Sequence, residues 1–350
     1  MQVLGEIIDD KIIVKKPKDI GRLYGKSGLG EPISGNKLQL DLIEGVFLLS
    51  EGKIKISQDK KEIDFQNLIR TAAQKIPDFE IKYRIFKDLR RRGYAVKICR
   101  RDERTAFYYP KKEEGEKQCC FISAFSERDT LDLEETKNLI KDVDRRNGVL
   151  WFGIVDEEGD ITYYEVTSMD LKGDIEEDVF QKGKSVFLKN IVIVFDEKLS
   201  KNLHGKEFFG KPLGNGLQLS IVEALYLLER NIIDIRTLDN KKLSRKKIEE
   251  NIAELQPDIQ TRLAVFRDLK KRGLIVKTGF KFGAHFRAYT KHPDETHAEY
   301  LVHVVEKGFK GMWAEISRAV RLAHSVNKEI AFAMVDRDEI DYIKFGRLRP

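Results

Sequence analysis

Apolar residues recur at helical spacing from Leu38 to Leu49 and again from Leu217 to Leu228. Two charged amphipathic runs, Phe86 to Arg92 and Phe266 to Arg272, each stop at a glycine suited to capping a helix C-terminus. Beyond that glycine the period changes. Leu274 to Phe280, His285 to Tyr289 and Glu299 to Val305 alternate as strands do, and a helix near Gly311 to Ser325 precedes two final strands. The pattern predicts a mainly helical half followed by an α/β half.

The same plan is written twice. FKDLRRRG from Phe86 to Gly93 returns as FRDLKKRG from Phe266 to Gly273, a shift of 180 (from 86 to 266). That shift carries Tyr109 onto Tyr289, and LWFGIVD (Leu150 to Asp156) onto IAFAMVD (Ile330 to Asp336). Upstream, LIEGVFLL (Leu42 to Leu49) corresponds to IVEALYLL (Ile221 to Leu228). The fold class expected is α/β (α+β) in tandem duplication. Each repeat would have a mainly helical N-terminal subdomain, at 1–82 and 190–262, and an α/β subdomain with a mixed sheet, at 83–166 and 263–350. Residues 167–189 would connect the copies.

Composition narrows the class. A chain of 350 residues has room for two domains with their own cores, and 35% charged residues describe a water-facing surface. The start alternates charge around short apolar triplets and reads as a strand rather than a leader, so a cytoplasmic protein with no membrane span is expected. Cys99, Cys119 and Cys120 lack both the number for a disulfide framework and CxxC spacing for zinc, which leaves buried thiols. A net charge of +6 favours a polyanionic partner without identifying it.

All six histidines (His204, His285, His292, His297, His303 and His324) fall in the second copy, so histidine-dependent proton transfer belongs there. KFGAHFRAY (Lys281 to Tyr289), HAEYLVHVV (His297 to Val305) and RAVRLAHSVNKEIAFAMVD (Arg318 to Asp336) resemble the catalytic domain of archaeal tRNA-splicing endonucleases, and the likeness spans nearly the whole chain. The resemblance implies a catalytic trio of Tyr289, His297 and Lys328. A short loop from Thr290 to Thr296 would bring the first two to one hairpin mouth, with Lys328 reaching the same edge. The shift of 180 sends His297 to Lys117 and Lys328 to Gly148, so copy one is expected to keep only Tyr109 and to be inactive.

The resemblance further implies cleavage without metal or cofactor. The ribose 2′-OH would attack the adjacent phosphate and leave 2′,3′-cyclic phosphate and 5′-OH ends. Tyr289 would be the general base or would position the 2′-OH, His297 the general acid, and Lys328 the stabiliser of the phosphorane. Because a free tyrosine has a pKa of about 10, a basic role calls for cationic neighbours. The implied substrate is precursor tRNA and other bulge-helix-bulge RNA, with Arg321 and Arg347 clamping a bulge base; Lys344 and Arg349 compete for the second place. A homodimer is implied too, docked through the acidic turn Asp156, Glu157, Glu158, Gly159 and Asp160 of copy one. Its copy-two counterpart is Asp336, Arg337, Asp338 and Glu339. Two alternatives stand beside this reading: a metal-dependent nuclease using Asp336 and Asp338, and a non-catalytic RNA-binding subunit. The stretches YGKSGLG and FGKPLGNG read as turns or as phosphate loops.

Overall fold

A computed structural model describes residues 2–99, 105–113, 116–337 and 339–350. The helix Leu42–Ser50 opens on Asp41 and Ile221–Glu229 on Ser220; in each, a glutamate three residues on (Glu44, Glu223) reaches back to close a capping box. Each helix is buried along nearly its whole length, and so are both glutamates.

The N-terminal halves, expected to be mainly helical, are built on sheets. In copy one, six strands run in the order Glu31–Ile33, Lys37–Leu40, Lys11–Val14, Val3–Ile8, Ile54–Gln58 and Lys61–Ile63. Copy two has five in the matching order, from Lys211–Leu213 through Gly216–Ser220, Ile191–Val194 and Gly183–Leu188 to Ile233–Arg236. These strands are 3–6 residues long, too short for alternation to stand out beside the helical runs. The expected connection over 167–189 is also shorter: strand Ile161–Ser168 ends one copy, Gly183–Leu188 begins the other, and 169–182 hold no regular element.

The two α/β halves share one ten-stranded mixed sheet. The last strand of copy one, Ile161–Ser168, pairs antiparallel with the last strand of copy two, Glu339–Leu348, in the register Tyr163↔Leu348 to Ser168↔Ile343. On one face, helices Leu133–Asp144 and Trp313–Ser325 cover a core continuous between the copies, in which Tyr164 stacks on Trp313 with centroids 6.2 Å apart. On the other face, helices Phe79–Arg91 and Ile259–Lys271 belong to two separate cores, each shared with its own N-terminal half. The central strand pairs of both copies are parallel, Glu116–Ser126 with Gly148–Val155 and Tyr300–Glu306 with Glu329–Asp336. Among the described residues no helix is long and apolar enough to cross a membrane.

Candidate active site

Tyr289 closes the strand Phe286–Tyr289, as expected. His297 does not open the next strand, which begins at Tyr300; it lies exposed in the approach to that strand. Lys328 directly precedes Glu329–Asp336, three residues after helix Trp313–Ser325 ends. Strand alternation then fixes direction. Leu301, Ile330 and Phe332 face the helix Trp313–Ser325. The register Arg287↔Leu301 puts Arg287, and with it Tyr289, on that same face, and Lys328 shares the parity of Ile330.

Tyr289 and Lys328 converge on Ala298, the residue after His297 in the chain. The Lys328 ammonium donates to the Ala298 carbonyl at 2.5 Å, one residue from His297. Ala298 is buried in a small cluster with Tyr289 and Ile275, on which Phe208 and Ile175 pack. Glu299 ties the loop by accepting from the Thr290 amide at 3.0 Å and its hydroxyl at 2.8 Å. Lys328 also lies over the Phe282 ring, 5.7 Å from its centroid. The site thus offers a phenol, an imidazole and an ammonium on one sheet edge, a set able to exchange protons and to stabilise an anion.

Sequence reasoning missed Arg287. Its guanidinium lies 5.7 Å from the Tyr289 ring centroid, and its Nε is enclosed without a hydrogen-bond partner among the described residues. Period-two spacing from Tyr289 was the available signal. Ile175 of the connecting segment was missed as well. Here the Asp174 amide donates to the Thr290 carbonyl and the Ile175 amide to that of Gly273, so the connection straps onto copy two behind Tyr289.

Copy one requires a correction. Its strands pair Phe107↔Ile122 and Tyr109↔Cys120, whereas copy two pairs Phe286↔Val302 and Ala288↔Tyr300. Tyr109 therefore occupies the place of Ala288, and Pro110 the place of Tyr289. The chain between the paired strands runs over 99–106 in copy one and 279–285 in copy two, and that one-residue difference in length turns each side chain to the other face. Tyr109 is buried against Tyr94 and Trp151, with centroids 5.1 and 5.8 Å away, on the face opposite to that of Tyr289. At Gly148, in the place of Lys328, a Cβ would come within 2.7 Å of the Phe121 ring. Copy one retains none of the trio.

The remaining candidates are more scattered. Arg321 is exposed on its helix, its Nε donating to the Ser317 carbonyl. Arg347 pairs with Tyr164 and lines a cleft of about 860 Å³ with Arg84, Asp156 and Asp160 of copy one. Among the described residues no hydrogen bond joins it to Arg321, whose Nε is bound to the Ser317 carbonyl. Of its competitors, Lys344 is ion-paired with Glu329, beside Lys328. In the acidic turn the Asp160 amide donates to the Asp156 carboxylate at 2.8 Å, and Glu157 pairs with Arg128. Glu157, Glu158 and Asp160 stay exposed. In the corresponding turn Asp336 is bound to Lys307 at 2.7 Å, and Asp338 lies outside the described residues. Among the described residues no three His, Cys, Asp or Glu gather for a metal.

His285 is structural. Its Nδ1 accepts from the Val304 amide at 2.9 Å, and burial, with His303 and Arg262 nearby, pushes its pKa down to about 4 against the pull of Asp258. The glycine-rich stretches are turns only in part, since Tyr24–Lys26 end a helical segment and Lys211–Leu213 form a strand; the Gly30 and Gly210 amides donate to Glu44 and Glu223, the glutamates of the capping boxes.

Fold and site together define a duplicated two-domain unit whose polar constellation is complete in the second copy alone. The catalytic C-terminal domain of tRNA intron endonucleases matches twice, at 79–163 and 259–342, and their N-terminal domain twice, at 3–69 and 183–248. The chain is 36% identical to a tRNA-splicing endonuclease of Methanococcoides burtonii over 98% of this chain and 99% of that protein. It is 30% identical to one of Halobacterium salinarum over 94% and 95%. A third, from Methanothermobacter thermautotrophicus, is 37% identical over 46% of this chain but 94% of its own length, the extent of a single copy. This chain belongs to the tRNA intron endonuclease family.

Proposed function

We propose that this protein excises introns from precursor tRNA by metal-independent cleavage at bulge-helix-bulge junctions, acting in the cytoplasm. Tyr289 takes the proton of the ribose 2′-OH while the 2′-oxygen bonds to phosphorus. The bond from phosphorus to the 5′-oxygen breaks, His297 protonates that leaving oxygen, and Lys328 balances the phosphorane charge. The products are a 2′,3′-cyclic phosphate and a 5′-OH. The observation that supports this reading is the Lys328 hydrogen bond to the carbonyl of Ala298, which follows His297 in the chain and packs with Tyr289. Incubation with an intron-containing precursor tRNA in excess EDTA, followed by end-group analysis, tests it. Cleavage with cyclic phosphate ends is expected; a 3′-OH product or loss of activity in EDTA would overturn it.

The chain acts as a homodimer in this proposal, with the exposed acidic turn at Asp156, Glu157, Glu158 and Asp160 docking on the second subunit, and with Arg321 and Arg347 holding a bulge base. Changing Asp156 and Glu158 together to lysine is expected to yield monomers by light scattering and to lower cleavage. A variant that stays dimeric and cleaves normally would remove the turn from the interface.

A further inference from the structure

Beside Tyr289 a cleft of about 900 Å³ runs between the N-terminal half of copy two and its α/β half, around the edge strand Ile275–Thr278. Two of its walls are shared with the site. Phe208 lines the cleft, packs on the cluster holding Tyr289, and meets the His292 ring edge-on at 5.3 Å. Arg287 lines it too, with its guanidinium over the Tyr289 ring.

Two of the lining cations are already committed. Lys277 donates to the Glu223 carboxylate at 2.8 Å and to the Phe208 and Gly210 carbonyls, and Arg262 is paired with Asp258 at 2.6 Å. Arg287 differs. It is half-buried, its Nε has no hydrogen-bond partner among the described residues, and beside the Tyr289 ring it makes no ion pair among them, so no carboxylate there balances its charge. Lys211 is solvent-exposed on a strand of the far wall, and Phe280, 87% exposed, presents a bare aromatic ring at the rim. A large exposed ring beside unbalanced positive charge is the combination that holds single-stranded nucleic acid, the ring stacking on a base and the cations meeting phosphates.

We infer that this cleft binds the unpaired RNA strand on the 5′ side of the scissile phosphate, with a base on Phe280 and backbone phosphates at Arg287 and Lys211. The polarity rests on the proposed role of Tyr289. That residue faces the ribose whose 2′-OH attacks, which is the nucleotide 5′ to the broken bond, and the cleft reaches the site from the side of Tyr289. His297, at the leaving oxygen, faces the 3′ strand. N-terminal half and α/β half of copy two would therefore grip substrate together.

The test uses the full-length protein and a precursor tRNA carrying 2′-deoxyribose at the cleavage point, which cannot be cut. Phe280→Ala and Lys211→Ala alter exposed side chains and should leave the thermal melt unchanged. Phe280→Ala is expected to weaken binding about tenfold, and Lys211→Ala to lower the salt slope by about one. Arg287→Gln should weaken binding further, with partial rescue in Arg287→Lys. A photoactivatable uridine placed one nucleotide 5′ of the cut should crosslink to the cleft, and one placed 3′ should not. Wild-type affinity in Phe280→Ala and Lys211→Ala, or crosslinking from the 3′ position alone, overturns the inference. Failure of the catalytic reading looks different: His297→Ala would then cut ordinary precursor tRNA at the wild-type rate, whatever the cleft variants bind.

Discussion

The two copies share a chain trace and differ in what their equivalent positions do. In copy two the capping-box carboxylate Glu223 is buried; burial raises its pKa, but the Lys277 charge and hydrogen bond, with the Gly210 and Ser220 amides, outweigh that and hold it below the ordinary range. In copy one burial pushes Glu44 up, and among the described residues Lys97, in the place of Lys277, lies over the Tyr24 ring without pairing with that carboxylate. Arg90 and Lys270 make a second contrast. Arg90 donates to the Ser27 and Gly28 carbonyls, whereas Lys270 is buried in an ion pair with Glu207 at 2.8 Å. At the trio, a slip of one residue turns Tyr109 into its core while Tyr289 faces the site. A duplicated domain can thus lose its chemistry by register as readily as by substitution, and keep its fold throughout.

The largest effects should separate the copies at catalysis. His297→Ala and Lys328→Ala are each expected to cost about two to three orders of magnitude in single-turnover cleavage while RNA binding survives. Tyr109→Phe should cut at the wild-type rate, and any large loss there would restore copy one to the active site. Next comes the buried pair. Lys277→Met strands the Glu223 carboxylate and should destabilise by about 3–5 kcal/mol in urea unfolding. Lys97→Met, removing a cation that has no buried carboxylate to serve, should cost under about 1 kcal/mol. Equal losses would erase the contrast.

Acid should also act through copy two. The folded-state pKa of His285, about 4, lies below its unfolded value near 6.5, so the unfolded chain binds the proton first. Stability is then lost as pH falls from about 6.5 to about 4, by up to about 3 kcal/mol. His285→Gln should flatten that part of a melting-temperature profile against pH, and an unchanged slope would exclude His285 as its source. A modest effect on RNA binding is expected at Arg321. Arg321→Ala should weaken RNA binding by about threefold to tenfold, and misplaced cuts in the same digestion would separate a base clamp from plain phosphate contact.

Much of this was legible in the residues. The repeat, the helices ending at Gly93 and Gly273, the strand closing on Tyr289 and the lysine after the last helix could each be read from spacing, because helix and strand periods are local. The short N-terminal strands were not, since three to six residues carry too little period to compete with a helix beside them. Arg287 was half legible: its parity with Tyr289 is in the sequence, but its lack of a partner is not.

The sequence by itself determined that the chain is duplicated and that histidine chemistry is confined to the second copy, since identity and order need no coordinates. Only the tertiary structure decided that Tyr109 is no relic of an active site. Strand pairing is a relation between distant segments, and a one-residue change in a turn reverses every side chain beyond it without changing a letter of the motif. The same holds for the convergence on Ala298 and for the cleft beside Arg287. Each joins residues far apart in the chain, through a carbonyl and a packing surface that no residue pattern records.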